Sequence, residues 1–305
     1  MFSMRRGSQI CVLAPAKLNL FLELHGRRSD GYHEMETLMV PINLYDSISV
    51  TPSDINSTIQ FACAWVPGLD PAACETMPDP TKNIAYRAIA LLREQAGVSK
   101  GAKVVLRKRI PSQAGLGGGS SDAAAALIAA NIAWSLNWST AQLAEVASKI
   151  GSDVPFFLYQ SLARCTGRGE IIHPVAQRGR LNFVIVKPNF GLSTPDVFQQ
   201  ASVPASPRGS ESLLGFLAAA DPIASAKLLF NRLESAARKL TPWIQEIASR
   251  MDQLAVCGHQ MSGSGTSYFA LCRNHRHARQ VAAVLRATHT GRTIVATTIG
   301  PHAAR

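Results

Sequence analysis

Four glycines crowd positions 115 to 119 of a short loop. Pro111, Ser112, Gln113, Ala114, Gly115 and Leu116 lead into Gly117, Gly118 and Gly119. Ser120 and Ser121 then close the loop before an alanine-rich, helix-forming stretch from Asp122 to Ala130. A glycine-dense loop that opens into a helix can wrap a phosphate chain. Its glycines can take φ > 0 and carry no side chain to hold off an anion. The unpaired N–H groups of the first helical turn, at the positive end of the dipole, then point at it. Ser120 and Ser121 are candidates to cap that helix or to set a hydroxyl on a magnesium ion. Upstream, Lys103 to Arg109 alternates polar and apolar like a half-buried strand and brings positive charge to the loop.

Three well-known phosphate loops do not fit. A Walker A loop needs Lys followed by Ser or Thr directly after its last glycine, and here Gly119 is followed by Ser120, Ser121 and Asp122. The dinucleotide fingerprint needs glycine where Ser120 stands. The protein-kinase loop runs between strands, whereas this one enters a helix.

Other residues carry chemical potential of their own. Lys17 lies in an apolar stretch, Leu13 to Leu20, where a charge needs a partner or an open cleft. Period-2 alternation puts Lys17 and Asn19 on one face, opposite Leu18 and Leu20, as suits a polar ligand. Asp153 precedes Val154 and Pro155, so local sequence allows both a helix N-cap and a working carboxylate. Tyr32 and His33 follow a turn signal at Asp30 and Gly31. A second glycine turn spans residues 262–266 and contains Gly263 and Ser264.

The elements that must position these residues can be read in outline. Strands are expected at 10–14, 18–22, 46–50, 58–62, 102–110, 181–187, 268–272 and 292–298. Helices are expected at 83–95, 121–136, 140–150, 211–219, 222–230, 241–254 and 274–288. Residues 52–81 form a proline-rich surface loop carrying one strand, and 201–210 is an irregular connection. This pattern implies an α+β chain with a strand-rich first half (1–165) that holds the phosphate loop and a helix–strand second half (166–305). The active site is expected between them.

Composition narrows the class. The chain has 305 residues, 47% hydrophobic and 17% charged, which describes an ordinary globular protein with room for a substantial core. No apolar run is long enough to span a membrane, and Ile10 to Ala14 is too short for a signal segment, so the reading is a cytoplasmic enzyme. The six cysteines are scattered without a Cys-x-x-Cys pair or zinc-type histidine spacing, as expected of reduced thiols. Net charge is +11, and no acidic residue follows Asp252. Without an aromatic platform or dense basic tract, that charge reads as a field for polyanionic small molecules rather than for nucleic acid.

The glycine loop resembles the second motif of the GHMP kinases, in a version with three consecutive glycines. Pro15 to Leu22, Asp30 to His33, Gly151 to Pro155 and Met261 to Thr266 are similar to further segments of that family, in the expected order, from about residue 14 to about residue 269. They are most similar to the members that phosphorylate a cytidine diphosphate-linked sugar alcohol of non-mevalonate isoprenoid synthesis. The resemblance implies the two-domain GHMP fold, ATP as donor and Mg2+. It also implies Asp153 as catalytic base with Lys17 as its partner, and Asn83 beside the ATP base. The cytosine would lie between Tyr32 and Phe198 with His33 at its edge, and Asn19, Thr194, Gly263 and Ser264 would contact substrate. Magnesium would be held by ATP oxygens and Ser121, since no obvious carboxylate ligand accompanies the motifs. Arg168 departs from the acidic or small residue expected at its position.

The resemblance further implies small-molecule partners only, ATP and the cytidyl substrate, with no nucleic acid and no membrane, and a monomer or weak homodimer. A homoserine or mevalonate kinase is the nearest rival; its substrate has no base to stack on Tyr32. A basic nucleic-acid-binding protein of similar first-domain topology would leave the glycine loop without a role.

Overall fold

The residues from Gln9 to Arg27 form one strand, not the two short strands that the proline and glycine spacing predicts. Pro15 sits inside it, because its fixed φ suits an extended chain. The computed structural model describes residues 1–69, 79–176, 178–219 and 221–299. The chain forms two compact units, both discontinuous in sequence. The first comprises Met1–Ala16, Leu44–Pro111 and Gly117–Gln160; the second comprises Lys17–Asn43, Ser112–Leu116 and the chain from Ser161 onward. A single cut at 165/166 would instead assign Lys17, Tyr32 and the first half of the glycine loop to the earlier part.

In the first unit, β1 (Ser3–Arg6) pairs antiparallel with the start of β2 (Gln9–Arg27). The end of β3 (His33–Ser53) and β4 (Ile59–Trp65) flank β5 (Gly101–Lys108), which lies antiparallel to β3 and parallel to β4. Along β5, Val104, Leu106 and Lys108 are buried while Lys103 and Arg107 are exposed, which is the expected alternation. Helix α1 (Ile84–Gln95) buries Ala85, Ala88, Ile89 and Leu92 at helical spacing, and Asn83 caps it by accepting the Ala85 N–H at 2.9 Å.

Helix α2 (Gly118–Ala133) is apolar all round, with Ala123 to Ala126, Ala129 and Ala130 fully enclosed. It starts three residues earlier than the sequence suggests, because Gly118 and Gly119 join its first turn. Helix α3 (Thr140–Ile150) stops at Gly151 as read from sequence, and of the two caps the sequence allows, Ser139 or Thr140, it uses Ser139, in a capping box with Gln142. Helix α4 (Val154–Tyr159) follows directly.

In the second unit, β2 and β3 are joined by a tight turn in which the Arg28 N–H donates to the Tyr32 carbonyl at 2.8 Å. The short strands β6 (Ala163–Thr166) and β7 (Ile171–Pro174) form a hairpin on β3. A separate antiparallel sheet contains β8 (Asn182–Lys187), and three helices follow that strand in sequence: α5 (Thr194–Gln200), α6 (Glu211–Ala218) and α7 (Pro222–Ala226). Then come β9 (Phe230–Asn231), α8 (Arg232–Leu240) and α9 (Trp243–Asp252). The last elements among the described residues are β10 (Gly258–Met261), β11 (Tyr268–Cys272), α10 (His275–Ala287) and β12 (Arg292–Thr297).

That sheet has the order β10-β11-β8-β12. Val184, Val186, Tyr268, Ala270 and Cys272 on one face pack with Ile244, Ile247, Met251, Val281 and Leu285 in one core, and all five residues of β11 are buried. The helix expected at 241–254 is α9, whereas α8 lies between the expected helices, where the sequence reading placed none. The helix expected at 222–230 is only the five residues of α7. Among the described residues, no helix is long and apolar enough to cross a membrane. Cys74 lies outside the described residues; Cys11, Cys257 and Cys272 are free thiols.

Candidate active site

Helix α2 begins without a side-chain cap. Its N-cap is Gly117, in the left-handed region at φ 68°, so Ser120 and Ser121 do not cap it as the sequence suggested. No capping side chain occupies its first-turn N–H groups, which is what an anion site at a helix N-terminus requires. Gly115 and Gly117 take positive φ, while Gly118 and Gly119 are helical. Gly118 is needed for space: a Cβ there would stand 2.9 Å from Ile110 Cγ2 and 3.5 Å from Lys108 Nζ.

Lys108 does not offer its charge to the loop. It is buried, and its ammonium donates to Asp46 and Asp122 in a closed ionic triad. Asp46 also accepts the Arg109 and Ile110 N–H groups, fixing the exit of β5 toward the loop. Burial drives the Asp122 carboxyl well above the usual carboxylate range, against the opposing pull of Lys108. The two carboxylates hold Lys108 above its ordinary value even though burial works the other way. Asp122 Oδ1 and Ser121 Oγ are buried without a hydrogen-bond partner. Asp153, in the same unit, occupies the N-cap position of α4, yet its side chain makes no capping bond to that helix.

The second unit gathers another set. Lys17 is buried, and its ammonium donates to Asn19 Oδ1; Asn19 Nδ2 donates to Thr37 Oγ1 at 2.8 Å. The shared face read from strand alternation is therefore present. The Lys17 N–H donates to the Leu116 carbonyl at 2.9 Å, tying β2 to residues 112–116. Ser262 Oγ accepts the Asn19 N–H at 3.3 Å and donates to the Gly115 carbonyl at 3.0 Å. A Cβ on Gly263 would stand 3.0 Å from Asn19 Oδ1 and 3.2 Å from Lys17 Nζ. The second glycine turn thus packs directly on Lys17, Asn19 and Gly115.

Asn231 holds that turn from behind. Its side-chain amide donates to the carbonyls of Met261 and Gly263, both at 2.8 Å, while its oxygen caps α8. Gln260 donates to the Asn19 carbonyl at 2.8 Å. Sequence reading passed over Asn231, Gln260, Asp46 and Asp122; the only local signal was an Asn before a helix.

The remaining predicted residues lie in the second unit as well. The rings of His33 and Phe198 stand 5.5 Å apart, and Thr194 Oγ1 meets Ser264 Oγ at 2.9 Å. Tyr32 is exposed, with the Arg168 guanidinium over its ring. Partial burial, then the nearby Arg27, keeps the His33 pKa below its usual value, so the ring is neutral near pH 7. Among the described residues no group of three His, Cys, Asp or Glu side chains is arranged to hold a metal ion.

These features define a class. Residues 83–161 match the model of the GHMP kinase N-terminal domain and residues 213–290 that of the GHMP kinase C-terminal domain; the chain belongs to the GHMP kinases and is a small-molecule kinase with ATP as phosphoryl donor. The particular family within that class follows from close relatives. A 4-diphosphocytidyl-2-C-methyl-D-erythritol kinase of Pelotomaculum thermopropionicum is 40% identical over 281 residues, 92% of this chain and 94% of that protein. One from Nocardioides is 37% identical over 296 residues, 94% of this chain and 96% of that one. A crystal structure of 4-(cytidine 5'-diphospho)-2C-methyl-D-erythritol kinase superposes with a TM-score of 0.79 at 36% identity, covering 95% of this chain and all of that one. The chain belongs to the 4-diphosphocytidyl-2-C-methyl-D-erythritol kinase family. A homoserine kinase from Cytophaga hutchinsonii, with a TM-score of 0.74 at 19% identity, shares the fold.

Proposed function

We propose that this kinase transfers the γ-phosphoryl group of ATP to the 2-hydroxyl of 4-diphosphocytidyl-2-C-methyl-D-erythritol, giving the 2-phosphate and ADP. The observation that carries the reading is the buried Lys17 ammonium, packed with Asn19 against the Gly115 loop and the Gly263 turn. A buried cation beside a phosphate loop is where charge develops in phosphoryl transfer.

Each part has a task. The uncapped first turn of α2 and the glycines before it cradle the donor phosphates. Asp153 orients and deprotonates the acceptor hydroxyl, and Lys17 lowers the cost of its ionisation. Asn83, at the start of α1, lies beside the ATP base. Tyr32 and Phe198 face the cytosine, with neutral His33 able to donate or accept at its edge. Asn19, Thr194, Gly263 and Ser264 contact the rest of the substrate.

Magnesium fits this chain through hard oxygen donors. Ser121 Oγ is a buried oxygen without a partner in the first turn of α2, and it would hold the ion together with ATP oxygens. When bound, the ion neutralises charge on the transferring phosphoryl group. The expected partners are these small molecules, with the chain as a monomer or weak homodimer.

A coupled ADP-release assay tests the substrate, with the cytidyl compound run beside homoserine and mevalonate. Turnover is expected with the cytidyl compound alone. Turnover only with homoserine or mevalonate would overturn the proposal.

A further inference from the structure

The β6–β7 hairpin turn carries Arg168 between two glycines at φ 73° and 108°. Glu170 folds back over this turn. One of its oxygens accepts the Arg168 N–H at 2.7 Å, and the other lies 3.7 Å from Arg168 Nε. The Gly167 carbonyl accepts the Met35 N–H at 2.8 Å, which fastens the turn to β3 two residues beyond His33. So anchored, Arg168 places its guanidinium 4.8 Å from the centroid of the Tyr32 ring, over one face.

Tyr32 is fixed at its backbone as well: its N–H donates to Asp30 Oδ1 at 3.1 Å and its carbonyl accepts from Arg28 at 2.8 Å. Tyr32 nevertheless stays 55% exposed, with the Arg168 guanidinium over one face of its ring. A guanidinium over an aromatic face is attracted by the ring quadrupole. Backing an exposed ring in this way removes rotamer freedom that a stacking ligand would otherwise have to remove on binding.

We propose that Arg168 is a specificity-determining positioning residue. It covers one face of Tyr32, holds the ring as a pre-formed platform, and leaves the opposite face for a planar base. The proposal rests on the reading of Tyr32 as the residue that meets cytosine. It gives Arg168 a role in recognising the base, apart from the chemistry at Lys17 and Asp153.

The test is a double-mutant cycle on KM for the cytidyl substrate and on the inhibition constant of CDP. Arg168→Ala is expected to raise both by roughly two- to tenfold with kcat unchanged, the scale of a surface cation–π contact plus one side chain's ordering. In a Tyr32→Ala background the same substitution should add nothing. An unchanged KM in Arg168→Ala, or the same rise in both backgrounds, would overturn the inference while leaving the base pocket standing. If Tyr32→Ala itself left KM and CDP inhibition unaltered, Tyr32 would not read the base, and the inference would fall with that reading.

Discussion

Ser262 packs directly on Gly115. Ser262 Oγ donates to the Gly115 carbonyl at 3.0 Å, and a Cβ on Gly115 would stand 2.0 Å from the Ser262 carbonyl oxygen. Gly115 also sits at φ 68°, which disfavours any side chain. The first part of the phosphate loop is therefore set by the second glycine turn.

Gly115→Ala must push the two turns apart. Strain at positive φ alone is of order 1–3 kcal/mol, and displacement of about 1 Å near the chemistry can cost 10²-fold in rate. We expect a fall in kcat/KM for ATP of about that size together with reduced stability to urea. Gly215→Ala is the control: it lies in helix α6, outside the site, and a Cβ there would meet nothing within 4 Å. It should stay close to the parent. Equal behaviour of the two variants would refute the contact's importance.

The Lys108 triad yields a stability prediction. Lys108→Met leaves the buried Asp46 carboxylate without its counter-charge, a loss of about 3–5 kcal/mol. Asp122→Asn should cost far less. Burial already favours the neutral form of Asp122, and asparagine has nearly that shape. Urea denaturation at neutral pH compares them. A Lys108→Met protein as stable as Asp122→Asn would show that the triad does not hold the exit of β5.

Asp153 and Lys17 are expected to act on the acceptor. Asp153→Asn and Lys17→Ala should each lower kcat by roughly two orders of magnitude or more while the KM for ATP barely moves. The N-cap explanation for Asp153 is weak, because its side chain makes no capping bond to α4. Steady-state rates with the cytidyl substrate decide the matter. A near-normal kcat in Asp153→Asn would remove it from the mechanism.

What was legible in the sequence was whatever local pattern controls. Helix α10 shows Ala278, Val281, Ala282 and Leu285 at helical spacing, and α3 announces itself by Ser139 and Gly151. The strands β6, β7 and β10 are four residues long, too short for a period to register. Lys108 was read as loop charge although it has the same parity as Val104 and Leu106. Its partners stand 62 and 14 residues away, where no local pattern reaches. Asn231 is the same case: its two acceptors, at 261 and 263, are neighbours only through the fold.

The last prediction concerns acid. Glu23 is fully buried on β2, and both of its oxygens accept from Arg232 at 2.7 Å; the Arg208 and Leu24 N–H groups donate as well. Burial alone would raise its pKa. The bonds from Arg232, Arg208 and Leu24 together outweigh that effect and leave it below the ordinary glutamate value. A carboxylate whose folded pKa lies below its unfolded one contributes stability that is complete above the unfolded value, about 4.3, and that is lost as pH falls through the folded value. Glu23→Gln keeps the shape but presents an amide N–H to the Arg232 guanidinium. It should cost about 2 kcal/mol near neutral pH, the scale of a hydrogen bond to a charged group. Urea unfolding of both proteins between pH 3 and 7 should show two curves well separated at neutral pH that converge as pH drops below about 4.3. A gap that stayed constant across that range would mean that the charge on Glu23 contributes nothing to the second unit.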